Sequence, residues 1–174
     1  MTTTVKPDRT EAAEYYFTYI DQVPDGVDVC DVIEAQLPET IAFLNSITDD
    51  QSLHRYAPDK WTIREVLGHI IDTERLFVFR ALWFARNFDS ALPSFDQNIA
   101  IDHAGANDRS WSGLIDEFRS LREASVAFFR TLPADAWNRR GTASGYPFTV
   151  RALGYMTAGH VTHHVKILRD RYLA

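Results

Sequence analysis

The chain has 174 residues, 45% hydrophobic and 24% charged, with a formal net charge of −6. Its length fits one compact domain with its own core, and this composition excludes a disordered chain. The acidic surplus argues against a nucleic-acid partner, which needs a basic face.

The single cysteine, Cys30, excludes an internal disulfide and a cysteine-rich zinc site, and fits a reducing compartment. The first twenty residues lack the continuous apolar run of a signal peptide, and no window reaches the roughly 18 apolar residues of a membrane span. We therefore expect a cytoplasmic protein with no membrane partner. It should form a single domain over 1–174, with an N-terminal extension over about 1–27 and a helical bundle over about 28–174.

Residues 10–22 read as a short helix rich in aromatics (Tyr15, Tyr16, Phe17, Tyr19), broken by Pro24 and Gly26. Val32, Ile33, Leu37, Ile41 and Leu44 recur at helical spacing over 29–47, with Pro38 inside the pattern, where it should kink or split the helix. Thr62 and Glu65 form a capping-box pattern. Ile63, Val66, Ile70, Phe77 and Ala81 then follow one stripe. The segment "FDSALPSFDQNIAIDHAGANDRS" shows no sustained periodicity and reads as a long link. A helix follows from about Ser110 to Leu132, with Leu114, Phe118, Leu121, Ser125 and Phe128 on one face. "LPADAWNRRGTASGYPF" reads as a loop, and a last helix covers about Thr149 to Tyr172. The expectation is an all-α four-helix bundle without strands, its long link making the second and third helices parallel.

Three of the six histidines fall in "AGHVTHHVKILRDRY". His164 lies about 40° round the helix from His160 and one turn further along, on the side of Leu153, Met156, Thr157 and Ile167. Two core histidines satisfied by backbone or water, and two metal ligands, both fit that spacing. A third ligand is best supplied by His69, at the edge of the second helix's apolar stripe. Three neutral imidazoles with an open position make a recognised catalytic site for a divalent ion. His54 and His103 sit in loop-like segments and read as surface residues; His163 is offset by about 60° and reads as outward-facing. Asp72 lies about 60° round from His69, close enough to orient an imidazole or a bound water. Glu74 falls mid-stripe and needs a partner, with Arg75, Arg80 and Arg151 as candidates.

"KWTIREVLGHIIDTERLFVFRALWFAR", "LPSFDQN" and "AGHVTHHVKILRDRY", in this order and over about residues 12–172, resemble the DinB/YfiT-like superfamily. The resemblance implies an up-down-down-up four-helix bundle holding one divalent ion through His69, His160 and His164. Zinc or nickel come first as that ion, then iron or manganese. It also places Asp96 and Gln97 on a loop near the metal, so Asp72 or Asp96 would assist proton movement. The leading function it implies is a thiol-dependent S-transferase acting on small electrophiles, with a low-molecular-weight thiol as co-substrate. A metal-dependent hydrolase is the alternative, and a non-catalytic metal- or ligand-binding bundle the third reading. A small-molecule substrate and a homodimer complete the expectations.

Overall fold

The structure, a computed structural model, describes residues 5–174. Four long helices dominate: α2 (Val29–Asn45), α4 (Ile63–Ala85), α6 (Trp111–Arg130) and α7 (Val150–Ile167). Each starts at a side chain that accepts a hydrogen bond from its own first turn: Asp28 from Cys30, Thr62 from Glu65, Ser110 from Gly113 and Thr149 from Ala152. Shorter helices are α1 (Phe17–Ile20), α3 (Asp49–Ser52) and α5 (Gln97–Ala104). No helix among the described residues is long and apolar enough to cross a membrane.

The helices run between two apolar clusters. Val29 and Ile33 of α2, Phe77 and Phe84 of α4, Phe129 of α6 and Leu153 of α7 belong to one. Leu44, Ile63 and Leu67, Leu114 and Phe118, and Val161 belong to the other. Read in chain order, α2 and α7 run from the first cluster to the second, and α4 and α6 run the opposite way, which is the up-down-down-up order. Helix α7 packs on α4 and α2, and α6 on the same two. Between the clusters every long helix contributes polar side chains at one level: Gln36 and Thr40, His69 and Glu74, Arg122 and Ser125, Thr157 and His160.

Several details depart from the sequence reading. Pro38 does not split α2; its ring is solvent-exposed, so water can hydrate the carbonyl it leaves unpaired. The N-terminal helix shortens to a 3₁₀ turn at Glu14–Tyr16 followed by α1, because buried Glu11 is held by Thr149 and Arg151 instead of by a helix. The long link contains α5, capped by Asp96 and closed by Gly105 in the left-handed region. The expected loop before α7 holds a hairpin, β1 (Arg140–Ala143) and β2 (Tyr146–Thr149), paired from Arg140↔Thr149 to Ala143↔Tyr146. Its turn is Ser144-Gly145, with φ of 53° and 79°. Positive φ at both central residues is what a right-twisted two-residue hairpin requires. After Ile167 the backbone widens into a π-helical turn, Leu168–Tyr172, anchored where the Tyr172 hydroxyl donates to the Trp61 carbonyl at 2.9 Å.

A candidate metal centre between two helices

His69 on α4 and His160 and His164 on α7 meet in the polar level of the bundle. One donor atom from each lies within 4.8 Å of the others. The Nε2 atoms of His69 and His160 are 3.1 Å apart. Two nitrogens held by one tetrahedral zinc at about 2.05 Å each are about 3.3 Å apart, so this separation suits a shared ion. The Nε2 of His164 is buried and has no hydrogen-bond partner among the described residues. A buried ring nitrogen left unpaired is costly, and a cation is the partner its lone pair would accept. The three residues therefore fit a divalent ion bound by three imidazoles.

Their protonation fits as well. Burial pulls the His69 imidazole down to about 4 and that of His164 to about 3, with neighbouring histidines adding to the effect. Burial drives His160 well below its ordinary value too, reinforced by His164 and His69. All three are neutral near pH 7 and present lone pairs.

The surroundings hold the rings in place. The Thr73 hydroxyl lies 3.3 Å from Nδ1 of His69, which leaves Nε2 turned inward. Trp61 packs against His69 with ring centroids 5.0 Å apart, and Tyr19 meets His160 edge-on at 5.0 Å. Tyr19 comes this close because residue 159 is glycine: a Cβ there would fall on the Tyr19 carbonyl oxygen, far inside van der Waals contact. His163 is half-buried and edge-on to Tyr19 at 5.3 Å, so it supports that ring instead of facing outward.

A cavity of about 110 Å³ opens beside His69 and His160. Tyr15, Tyr16 and Tyr19 of the N-terminal segment, Phe95 and Gln97 of the α4–α6 link, and Ser144 of the hairpin turn close it. Three of the segments outside the four long helices thus converge on one face. On α4 the lining residues are His69, Thr73, Leu76, Phe77 and Arg80, a single stripe at helical spacing.

Two expected residues are placed elsewhere. Asp72 lines a separate pocket with Arg75, Arg109 and Glu117, on the α6 side, and contacts none of the three histidines. The role expected of it, orienting the His69 ring, falls to Thr73. The Asp96 carboxylate accepts from the backbone of Asn98 and Ile99 as the α5 N-cap, while its neighbours Phe95 and Gln97 reach the cavity. Glu74 is paired, but with Arg122 of α6 at 2.7 Å and not with Arg75, Arg80 or Arg151. His54 and His103 are exposed, His103 on α5 and not in a loop. Thr73 was the most accessible of the missed residues, since it stands four after His69 and a turn further on the same face.

Residues 33–168 match the profile of the DinB superfamily. No curated protein matches the chain. Among solved structures, the chain is similar to YfiT from Bacillus subtilis, described as a probable metal-dependent hydrolase with an unusual four-helix bundle topology. The TM-score is 0.66 and the identity 19%, covering 94% of this chain and 91% of that one. At that identity the likeness speaks for the fold alone.

Proposed function

The chain belongs to the DinB superfamily, and from that premise we propose that it is a metal-dependent hydrolase whose divalent ion is held by His69, His160 and His164. The observation that carries this reading is the gathering of three neutral imidazoles, two of them at the wall of a cavity and the third, His164, with an orphaned Nε2. The description of YfiT as a probable metal-dependent hydrolase supports it. A bound zinc, nickel, iron or manganese ion would supply Lewis acidity and a water nucleophile near neutral pH. The chain's own residues do the rest. Thr73 fixes the His69 ring, Tyr19 and Trp61 brace the imidazoles, and the aromatic walls restrict water around a bound small molecule.

A second reading, a thiol-dependent S-transferase, is favoured by one observation: no carboxylate lines the cavity among the described residues. A thiol loses its proton readily on binding a metal and then needs no general base during attack. The thiol would be a small co-substrate, because Cys30 is buried on α2 with its thiol pushed up to about 12, chiefly by burial. We further propose a homodimer, supported by the exposed rings of Phe79 and Phe88 near the C-terminal end of α4.

Elemental analysis of purified protein should find about one metal per chain, lost in His69→Ala and in His160→Ala. Metal that persists in both variants overturns the ligand set. Ester hydrolysis without thiol, falling by at least about 100-fold on chelation or in His160→Ala, supports the hydrolase. Metal-dependent turnover that appears only with an added thiol moves the assignment to the transferase.

A further inference from the structure

Three arginines are buried in this bundle, and one stands apart. Arg64 meets Asp49 at 2.7 Å and Arg122 meets Glu74 at 2.7 Å. Arg80 is 1% exposed, yet among the described residues no carboxylate lies within ion-pair distance of it. Its Nη2 donates to the Pro93 carbonyl at 3.2 Å and to the Ser144 hydroxyl at 2.9 Å. Among the described residues its Nε has no hydrogen-bond partner. A buried cation without a counter-ion costs several kcal/mol unless something balances it.

Arg80 is also a wall of the cavity that His69 and His160 line. It follows His69 by eleven residues, which is about 16 Å along the helix axis and about 20° of rotation, so the two share one face. Side chains on a helix slant toward its N-terminus, which carries the guanidinium back along the cavity toward His69. Between them lie Thr73, Leu76 and Phe77, with Phe95 and Tyr16 opposite, the Tyr16 side chain also hydrogen-bonding Arg80, a largely apolar and aromatic passage. The hairpin turn that carries Ser144 at φ 53° holds the guanidinium from the far side.

We propose that Arg80 is the anchor of an anion subsite, and that the cavity takes an elongated carboxylate whose charged end meets Arg80 while its apolar body runs toward the histidines. A single guanidinium balances one charge, which favours a carboxylate over a phosphate dianion, and its planar fork matches the two carboxylate oxygens. The subsite deepens the hydrolase reading by naming the substrate as a carboxylate carrying its reacting group at the opposite end. Its relevance to turnover rests on that reading; the binding itself does not need the metal.

The test therefore uses metal-free protein, prepared by chelation, with 4-phenylbutyrate and its neutral amide as probes in isothermal titration. The carboxylate should bind at least about tenfold more tightly than the amide, and Arg80→Gln should abolish that preference while Arg80→Lys keeps part of it. Equal affinity of the two probes in the wild-type chain overturns the proposal without any variant. So does a preference that survives Arg80→Gln in protein with an unchanged circular-dichroism melt. Inorganic phosphate binding more tightly than 4-phenylbutyrate overturns the carboxylate assignment. A positive result in protein that retains no metal on reconstitution would separate the two claims: the subsite stands and the hydrolase reading falls.

Discussion

The polar level that crosses the bundle has two halves, and they treat their buried groups in opposite ways. On the side of α2 and α6 the level is closed. Glu74 and Arg122 pair at 2.7 Å, and Gln36 accepts from Arg122 while donating to the Ala158 carbonyl and the Thr162 hydroxyl of α7. On the side of α4 and α7 it is open. The Glu74 and Arg122 atoms that lack a hydrogen bond still face an opposite charge, whereas the His164 Nε2, and the Arg80 Nε about three turns along α4 from His69, have neither a hydrogen bond nor an opposite charge among the described residues. Both residues belong to the wall or the immediate surroundings of the cavity. The closed half serves the fold, since every charge is met by a charge from another helix. The open half leaves donor atoms and a cation waiting for something the chain does not contain, which is the signature of a site.

Breaking the closed half should have the largest effect on stability. Glu74→Leu leaves Arg122 buried without its carboxylate and should cost about 3–5 kcal/mol, a fall in Tm on the order of 10 °C. The double variant Glu74→Leu/Arg122→Met should recover most of that, because two apolar residues of similar volume pack where the ion pair was. In the open half, Arg80→Met should move stability by no more than about 1 kcal/mol in either direction, since it removes a cation that has no counter-ion. Thermal melts of the four proteins decide this. If Arg80→Met is as damaging as Glu74→Leu, the division into a closed and an open half is wrong.

The second effect depends on pH and, taken one histidine at a time, is smaller. His69 and His164 are held at about 4 and about 3 in the fold, below the ordinary histidine value that the unfolded chain recovers, and His160 moves the same way. Between about pH 4 and 6.5 the unfolded chain binds protons that the folded chain refuses, so stability falls as pH drops through that window. The slope is roughly 1.4 kcal/mol per pH unit for each histidine, and it flattens above about 6.5. Urea melts of metal-free protein at pH 5 and 7 should show it, and His164→Phe should remove one histidine's share. A slope that His164→Phe leaves unchanged places the titration elsewhere.

The sequence carried the open half further than the closed one. His160 and His164 are four apart on one helix, and that period alone sets them on one face whatever packs against it. His69 could be joined to them because its stripe position is also periodic, and the long link made α4 and α6 parallel before any contact was known. Contacts set by tertiary packing were illegible. Glu74 announced that it needed a cation, but the three arginines expected, Arg75, Arg80 and Arg151, did not include the one that answers, and only the crossing of α4 with α6 selects Arg122. Arg80 could not be recognised as solitary from sequence, because solitude is a statement about every other residue. The hairpin was hidden for a related reason: its strands are four residues each and rich in glycine and proline, too short for alternation to show.

The smallest expected effect decides what the link between α4 and α6 contributes. Asp96 lies at its centre and is expected to assist proton movement, yet its carboxylate caps α5 and, unlike Phe95 and Gln97, it does not line the cavity. As a cap it acts at a distance: it sets the first turn of α5, and with it Gln97 and Phe95, which close the cavity. Asp96→Ala should therefore cost about 1 kcal/mol and loosen substrate binding a few-fold, raising KM with little change in kcat and none in metal content. Asp96→Asn keeps an oxygen that accepts the same two backbone N–H groups but cannot take up a proton, so it should restore KM to near the wild-type value. If Asp96 moved protons, both variants would lose kcat together, and the asparagine would rescue nothing. A cap is rescued by shape and a base only by charge, so the pair of variants separates the two roles even where each single effect is small.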